Sequence, residues 1–454
     1  MHAHSGRLRL LGLVAVGFFL TCGGPFGVEP LVAAVGPGWA LVLLLATPLV
    51  FSMPFALVVA ELAALMPVEG GYYIWVREAL GPFWGVQMAV SSLAAAAMLL
   101  ALFPVLFSNY VGALLATIAP GLGAWLQGAV GHWVCAVVLI ATTVALNIRG
   151  TRSVGRGTGV AMAAILAVLG YFVVRTLAAP GAMGIAFDVV RHDLMHAPRG
   201  NLLLGLSVIL FNYGGWDNTS TIAGEVEDAV RVYPRVLIRL VLLVALSYSL
   251  PVFAGLAVTT DPAVWAERGW PAIATIVGGP VLAALLALAG AVSSWGLFVA
   301  QILYTSRLPF VLAQDRWVPA LLARTHPRTG VPVHSICACG IVAAALAALS
   351  YGSLVVMLAT FNLVMLALEF ASLAAFRRRK LPAEGRFRVP GGTVGLVLVT
   401  AAPLAVLGAT LVTMMMSGDS FHWQLIANAA VLGGGAIYFV LGRRLWRGGT
   451  PVAT

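Results

Sequence analysis

The chain contains 454 residues, of which 61% are hydrophobic and only 9% charged, with a formal net charge of +10. A soluble globular domain carries roughly 25% charged residues, so this composition excludes water as the main solvent and predicts a protein embedded in a lipid bilayer. The distribution of the basic residues, described below, also argues against a nucleic-acid partner.

Apolar blocks long enough to cross a bilayer recur along the whole chain. A membrane-spanning helix needs about 20 predominantly apolar residues. The blocks are 8–34, 39–66, 83–117, 132–148, 157–180, 200–228, 233–258, 274–306, 334–350, 354–376, 394–416 and 424–442. No stretch between them is long enough for a separate soluble domain. We therefore predict a single all-α membrane domain over 1–454, with about twelve spans.

The basic residues follow this topology. With both termini placed in the cytoplasm, the outer segments hold only four of the 26 basic residues, which are Arg175, Arg191, Arg199 and Arg268. Cytoplasmic loops of membrane proteins carry an excess of Lys and Arg. The bias favours an even number of crossings and a multi-pass protein of the cell membrane, and it explains the positive charge without a nucleic-acid partner.

The first and sixth blocks each contain a cluster of residues that break a helix near mid-span. Gly23-Gly24-Pro25-Phe26-Gly27 interrupts the first block, where Pro25 removes an amide donor and three glycines loosen the backbone. Tyr213-Gly214-Gly215-Trp216 interrupts the sixth. Inside a bilayer, irregular backbone is tolerated only where protein or a water-filled cavity supplies hydrogen-bond partners. Both clusters therefore indicate a cavity.

The two breaks occupy corresponding positions in two halves of five blocks, about 190 residues apart. Paired broken helices in matching positions are typical of the binding site of an inverted-repeat transporter. Glycines also serve close packing between membrane helices, and one Gly-Gly pair alone would favour that interpretation. Two breaks in matching blocks, each followed by an acidic residue, favour a binding site at mid-membrane.

Acidic residues inside apolar blocks also indicate a functional site, because an ionisable group in a membrane is costly and is by default a functional candidate. Glu29 follows the first break and Asp217 follows the second. Glu225 is expected near the cytoplasmic end of the sixth block, where a salt bridge would close the cavity from the inside. The nearest cations that the topology predicts for that salt bridge are Arg7, Arg9 and Arg77.

The predicted solute-binding residues are those of the two breaks and their neighbours. They are Cys22, Gly23, Gly24, Pro25, Phe26, Gly27, Glu29, Phe211, Asn212, Tyr213, Gly214, Gly215, Trp216 and Asp217. The predicted coupling or gating residues are Glu29, Asp217, Glu225, Ser293 and Ser294. For Glu61 and Glu369, which lie toward inner ends, pairing with a loop arginine or a backbone group is favoured over solute contact. No metal site and no cofactor are predicted.

The breaks present both signs of partial charge to a solute. Amides beginning the half-helix after Gly27 suit a carboxylate, and carbonyls before Gly23 and near Tyr213 suit an ammonium, so together they suit any amino acid. A solute with amines alone needs fixed acids instead. Asp217 and Glu29 would supply them, and the same acids can carry a coupling proton.

Four of the predicted residues have two interpretations each. Phe211 and Trp216 either form a gate over the solute or pack against neighbouring helices. Ser293 and Ser294 either ligate Na⁺ or serve as small hydroxyls at helix contacts, and packing is the commoner explanation.

Motifs in order along the chain resemble those of the amino acid/polyamine/organocation superfamily over nearly its whole length. Phe211-Asn212-Tyr213-Gly214-Gly215-Trp216 is similar to the FxYGGW motif of L-type amino acid transporters. Motifs similar to the branch of plant and protozoan polyamine uptake permeases are Gly24-Pro25-Phe26-Gly27-Val28-Glu29, Ala60-Glu61-Leu62, Gly70-Gly71-Tyr72, Gly81-Pro82-Phe83-Trp84-Gly85, Trp216-Asp217, Ala223-Gly224-Glu225-Val226 and Leu368-Glu369-Phe370. Ser306-Arg307, Val331-Pro332-Val333 and Arg388-Val389-Pro390-Gly391-Gly392 resemble loops shared across the superfamily.

The resemblance implies a LeuT-like fold with a 5+5 inverted repeat and alternating access around the two breaks. The repeats would cover about 8–180 and 200–376, followed by two extra helices over 394–442. The sequence departs from relatives at two places. Met162 stands where relatives often carry a lysine in the fifth helix, and Leu99 and Leu100 stand where plant polyamine members have an acid in the third.

A secondary active transporter of amino acids or polyamines is therefore predicted, working by alternating access with proton-coupled symport or exchange. Its partners would be a small amine-bearing solute, a coupling proton and the lipid bilayer. An enzyme is not predicted, because the chain has no HExxH motif and its eight histidines lie at termini, loops or span edges. A solute-binding membrane sensor derived from a transporter fold is the alternative.

Overall fold

The fold is helical throughout the part of the chain that the structure describes. The structure is a computed structural model, and it describes residues 10–198, 202–346, 352–379, 386–416 and 420–445. Within these ranges there are α-helices joined by short turns and no β-strand.

The α-helices are α1 (Leu10–Thr21), α2 (Glu29–Val35), α3 (Pro37–Thr47), α4 (Met53–Leu65), α5 (Gly71–Leu80), α6 (Pro82–Ile118), α7 (Pro120–Gln127), α8 (Ala129–Ile148), α9 (Thr151–Leu177), α10 (Ala182–Leu194), α11 (Leu202–Asn212), α12 (Ala229–Leu256), α13 (Gly269–Gln314), α14 (Val333–Leu346), α15 (Gly352–Arg378), α16 (Gly392–Met416) and α17 (Ser420–Leu445). Short π-helical segments cover Pro48–Ser52 and Val264–Arg268, and 3₁₀ turns cover Asp217–Thr221, Ala223–Glu225 and Ala320–Ala323.

Seven helical segments within the described ranges are long and apolar enough to cross a membrane. They are Pro37–Leu65, Pro82–Ile118, Ala129–Ile148, Thr151–Leu177, Ala229–Leu256, Gly269–Gln314 and Gly392–Val412. Three shorter apolar helices are Leu10–Thr21, Val333–Leu346 and Ala429–Gly442. The prediction of an all-α membrane protein is confirmed, whereas the number of twelve crossings and the cytoplasmic termini stay predictions.

Large apolar side chains cover the outer faces of these helices. Val160 on α9 is 74% exposed, and Val281 on α13 and Ile341 on α14 are each 71% exposed. A soluble protein rarely presents so much contiguous apolar surface to water. These faces fit contact with lipid.

Two predicted blocks differ from the helices in the structure. The sixth block, 200–228, is not a single span, because α11 ends at Asn212 and only two 3₁₀ turns follow the break. Glu225 therefore lies in a 3₁₀ turn and not on a helix that spans the sixth block. The eighth block lies within the longer α13, which bends where Gly278 and Gly279 leave helical φ and ψ just before Pro280.

The broken helices lie at the centre of the fold. Every residue from Ala15 to Thr21 on α1 is buried, since α1 packs against α9, α12 and α13. A helix that is apolar on all sides belongs in such an interior position. Beyond the first break, α2 packs against α11, so the two interrupted segments are neighbours.

Candidate solute-binding site

The first break covers the residues between the end of α1 at Thr21 and the start of α2 at Glu29. Gly23, Gly24 and Gly27 adopt φ values of +70°, +102° and +107°. Only glycine reaches this region without a steric cost, which explains the density of glycine here. The predicted interruption is present in the structure.

Carbonyl groups of the first break are anchored by the protein itself. The hydroxyl of Ser293 donates to the Gly23 carbonyl at 2.6 Å, and the Trp270 indole donates to the Pro25 carbonyl at 2.7 Å. Ser294, the neighbouring hydroxyl, donates to the Gly290 carbonyl of its own helix at 3.0 Å. The structure therefore places Ser293 as a support of the break.

The second break follows Asn212, and its two aromatic residues are fully buried. The Tyr213 hydroxyl donates to the Leu44 carbonyl at 2.7 Å, and the Trp216 indole donates to the Tyr213 carbonyl at 2.8 Å. Gly215 has a φ of +84°. Of the two aromatic residues considered as a gate, Trp216 is packed at 0% exposure, while Phe211 faces the cavity described below.

Hydrogen bonds tie the two breaks together. The side-chain amide of Asn212 donates to the Gly27 carbonyl at 3.2 Å, and the two residues are 185 positions apart in the chain. The Tyr248 hydroxyl of α12 donates to the Asn212 carbonyl at 2.8 Å and lies 3.4 Å from the Cys22 carbonyl. The irregular backbone thus has protein partners, as a membrane interior requires.

A cavity of about 800 Å³, open solvent included, lies between the breaks and helices α6, α12, α13 and α15. Half of the predicted solute-binding residues line it. These are Cys22, Phe26, Phe211, Asn212, Gly214, Gly215 and Asp217. The other half belong to the same two breaks or follow them directly but do not line the cavity, so the breaks and the cavity adjoin.

Sequence reasoning missed the cavity residues that come from other helices. They include Ser92 and Leu99 of α6, Tyr248 of α12, Gln301 and Tyr304 of α13, and Asn362 and Met365 of α15. Gln301 and Asn362 are polar side chains within apolar blocks, a signal that could have identified them. The apolar residues carried no such signal.

Asp217 and Glu369 lie side by side. Asp217 lines the cavity, and Glu369 lies one turn beyond Met365 on α15. Their carboxyl groups interact directly. The expectation that Glu369 pairs with a loop arginine or a backbone group is therefore wrong, because its neighbour is a carboxyl group and no arginine or backbone amide among the described residues donates to its oxygens.

Glu29 is held by the protein and is not among the cavity-lining residues. It accepts a hydrogen bond from the Gly27 amide at 2.5 Å and another from the Tyr110 hydroxyl at 2.9 Å. As the first residue of α2, its carboxylate suits the positive end of that short helix. The geometry places Glu29 as a support of the first break.

A largely buried ion pair lies at the C-terminal end of the second break. Glu225 accepts from the Arg307 guanidinium at 2.7 Å and from the Thr151 hydroxyl. Arg307 is 0% exposed. The prediction of Arg77 as the partner is wrong, because Arg77 pairs with Asp315. The other two predicted partners, Arg7 and Arg9, lie outside the described residues.

Glu69, in the loop between α4 and α5, joins this ion pair. It interacts with Glu225 and Arg307, and its backbone forms an antiparallel bridge with Ile222. Burial and the neighbouring Glu225 carboxylate raise the pKa of Glu69 from 4.5 to about 7, although Arg307 opposes the shift. Near neutral pH, Glu69 therefore gains and loses a proton beside the ion pair.

We expect this pKa to make stability depend on pH. Because the pKa is raised in the folded state, folding takes up a proton at Glu69 between pH 4.5 and about 7, so its contribution to stability falls as pH rises through that window. Thermal unfolding of the purified protein across the window measures this. Glu69→Gln should flatten the profile, and Glu78→Gln, on the exposed face of α5, should leave it unchanged. An unaltered profile in Glu69→Gln would contradict the assignment.

Glu61 has the structural role that was predicted for it. The Arg377 guanidinium donates to Glu61 at 2.8 Å and 2.5 Å, and the Val389 amide donates to it at 2.7 Å. This pairing connects α4 to α15 and to the segment before α16. The predicted pairing of Glu61 with an arginine and a backbone group is confirmed, although Arg377 lies in the last turn of α15 and not in a loop.

Comparisons with known proteins match most of the chain. The family model described as "Amino acid permease" matches residues 11–437. Polyamine transporter PUT1 of Oryza sativa subsp. japonica is 32% identical over 413 residues, covering 90% of this chain and 75% of the relative. Polyamine transporter RMV1 of Arabidopsis thaliana is 29% identical, covering 94% and 83%. An uncharacterized transporter of Mycobacterium tuberculosis is 30% identical, covering 75% and 73%.

Proposed function

Since this chain belongs to the amino acid permease family, it is a multi-pass membrane transporter rather than an enzyme, and we propose that it carries small amine-bearing solutes, polyamines or amino acids, across the cell membrane. Polyamines are the favoured class. The observation that carries this choice is the cavity lining, which contains the Asp217 carboxyl group and no lysine or arginine among the described residues. Two relatives named as polyamine transporters support the same class.

Two amides of the first break that are already occupied also favour an amine over a zwitterion. The Gly24 amide donates to the Cys22 sulfur at 3.2 Å, and the Gly27 amide donates to Glu29 at 2.5 Å. An amino acid would need free amides here for its carboxylate. A solute with amines alone has no such requirement.

The proposed architecture has about twelve spans, cytoplasmic termini and inverted repeats over about 8–180 and 200–376, followed by two extra helices over 394–442. The pairing of α2 with α11 supports it, because the two breaks would then be equivalent elements of the two repeats. Alternating access would move these elements around the cavity. Transport would be coupled to a proton gradient or to exchange against a second solute.

Flux into liposomes tests this function. Purified protein should take up labelled putrescine and spermidine saturably, and leucine and arginine more slowly, because the cavity carries a carboxyl group without a compensating cation. An imposed pH gradient should accelerate symport, and internal unlabelled solute should accelerate exchange.

Liposomes without protein are the control for leakage. If the solute binds to the protein but is not taken up, the protein is a sensor and not a transporter. Uptake confined to neutral amino acids would overturn the choice of polyamines and leave the transporter intact.

A further inference from the structure

Glu369 is buried beside another carboxyl group, that of Asp217, and has no cationic partner among the described residues. Its side chain is 0% exposed on α15, and both carboxyl oxygens lack a hydrogen-bond partner within the described ranges. Nearly all buried polar groups in proteins are hydrogen-bonded, because an unpaired one costs free energy. An unpaired carboxyl beside a cavity therefore indicates a missing cationic partner or a bound proton.

Glu369 and Asp217 have oxygen-bearing side chains near them. Asp217 is the immediate neighbour of Glu369, and Tyr72, whose hydroxyl is hydrogen-bonded to Ser92, lies within electrostatic range of both carboxyl groups. The Tyr304 hydroxyl interacts with Asp217 and accepts from the Gln301 amide at 2.8 Å. An alkylammonium has three N–H donors and no acceptor, so it matches a cluster of carboxyl and hydroxyl oxygens.

No protein cation in the described part of the chain neutralises this cluster. Arg307 lies six residues beyond Gln301 on α13, but its guanidinium is engaged by Glu225 and Thr151. Neither Asp217 nor Glu369 takes part in a salt bridge among the described residues. Two adjacent buried carboxyl groups cannot both ionise without a positive charge or a proton between them.

We propose that Asp217 and Glu369 together form an ammonium subsite of the cavity, which selects a diamine or polyamine over a zwitterionic amino acid. The proposal rests on the proposed function and adds Glu369 as the residue that determines specificity. One ammonium of the solute lies against the Asp217 carboxyl group at the cavity wall, where charge-assisted hydrogen bonds are strong, and Glu369 behind it adds negative charge. A solute carboxylate in the same place would be repelled.

Three solutes with four-carbon chains test the subsite in the wild-type protein. Putrescine has two ammonium groups, butylamine has one, and 4-aminobutyrate has an ammonium and a carboxylate. Equilibrium binding to purified protein in nanodiscs should rank putrescine first, butylamine second and 4-aminobutyrate last, with about tenfold or more between first and last. Equal affinity for putrescine and 4-aminobutyrate would overturn the proposal.

Variants of Glu369 then test whether the affinity for putrescine depends on this carboxyl group. Glu369→Gln should raise the Kd for putrescine about tenfold or more and change that for leucine little, because it removes a charge and keeps the shape. Glu369→Asp should recover part of the affinity, and Glu267→Gln, an exposed carboxylate before α13, is the control.

The remaining outcomes separate this proposal from the proposed function. Folded Glu369→Gln with unchanged putrescine affinity but no response to a pH gradient would make the pair a proton site and overturn the ammonium subsite. Wild-type protein that transports none of the amine solutes would refute the proposed function itself. If Glu369→Gln does not fold, the three-solute ranking decides.

Discussion

Gly215→Ala should reduce solute uptake about tenfold or more, because the left-handed region costs a non-glycine residue about 1–2 kcal/mol and the added methyl group has no space. Gly215 has a φ of +84°, and a Cβ atom there would lie 2.5 Å from the Leu20 carbonyl oxygen. The second break and the end of α1 meet at this point. A methyl group must push them apart and distort the cavity between them.

The adjacent glycine provides a matched control. Gly214 does not have a positive φ, and a Cβ atom there would lie 3.2 Å from its nearest neighbour, the Leu210 carbonyl oxygen. Gly214→Ala should lower uptake by about twofold at most, since only a small local shift is needed. Uptake into liposomes at equal protein content, with thermal unfolding in parallel, measures both variants. Equal losses in the two variants would refute the role of this close approach.

Glu225→Gln should open the cavity toward the cytoplasm. It removes the charge that pairs with Arg307, whose guanidinium is fully buried. Removing one partner leaves Arg307 buried without its counter-charge, which destabilises the arrangement in which the two side chains are in contact. The population should therefore shift toward states in which the pair is apart and solvated.

Cys22 is a natural reporter of this opening, because it lines the cavity and is only 4% exposed. In a background with Cys135, Cys337 and Cys339 replaced by serine, a membrane-impermeant thiol reagent on the cytoplasmic side should label Cys22 about tenfold or more faster in Glu225→Gln. Glu78→Gln, an exposed carboxylate of α5, is the control. An unchanged labelling rate would show that the ion pair does not close the inner side.

Residue chemistry and short-range pattern were enough to predict the positions of both breaks. Gly23, Gly24, Gly27 and Gly215 have positive φ values in the structure, and Pro25 lies among them. These residues act on the backbone at their own positions, so their effect can be predicted without knowing the fold. The prediction of a membrane protein from composition likewise did not require knowledge of the fold.

Tertiary structure alone decided which charges meet. Glu369 lies 152 positions after Asp217 in the chain, and Arg307 lies 82 positions after Glu225. The positive-inside rule suggested cations on the same side of the membrane as Glu225. That rule assigns segments to a side of the membrane and says nothing about the distances between residues. The partner depends on how α13 packs against α9 and the second break, which no local pattern contains.

The sequence by itself thus determined the membrane environment, the two interruptions and the acids that follow them, because each depends on residues close together in the chain. Only the packing of the helices decided that Asp217 has a second carboxyl neighbour, that Tyr110 holds Glu29, and that Ser293 supports the first break. The physical reason is that a hydrogen bond or a charge interaction requires contact. Contacts between distant segments are set by the whole buried interior.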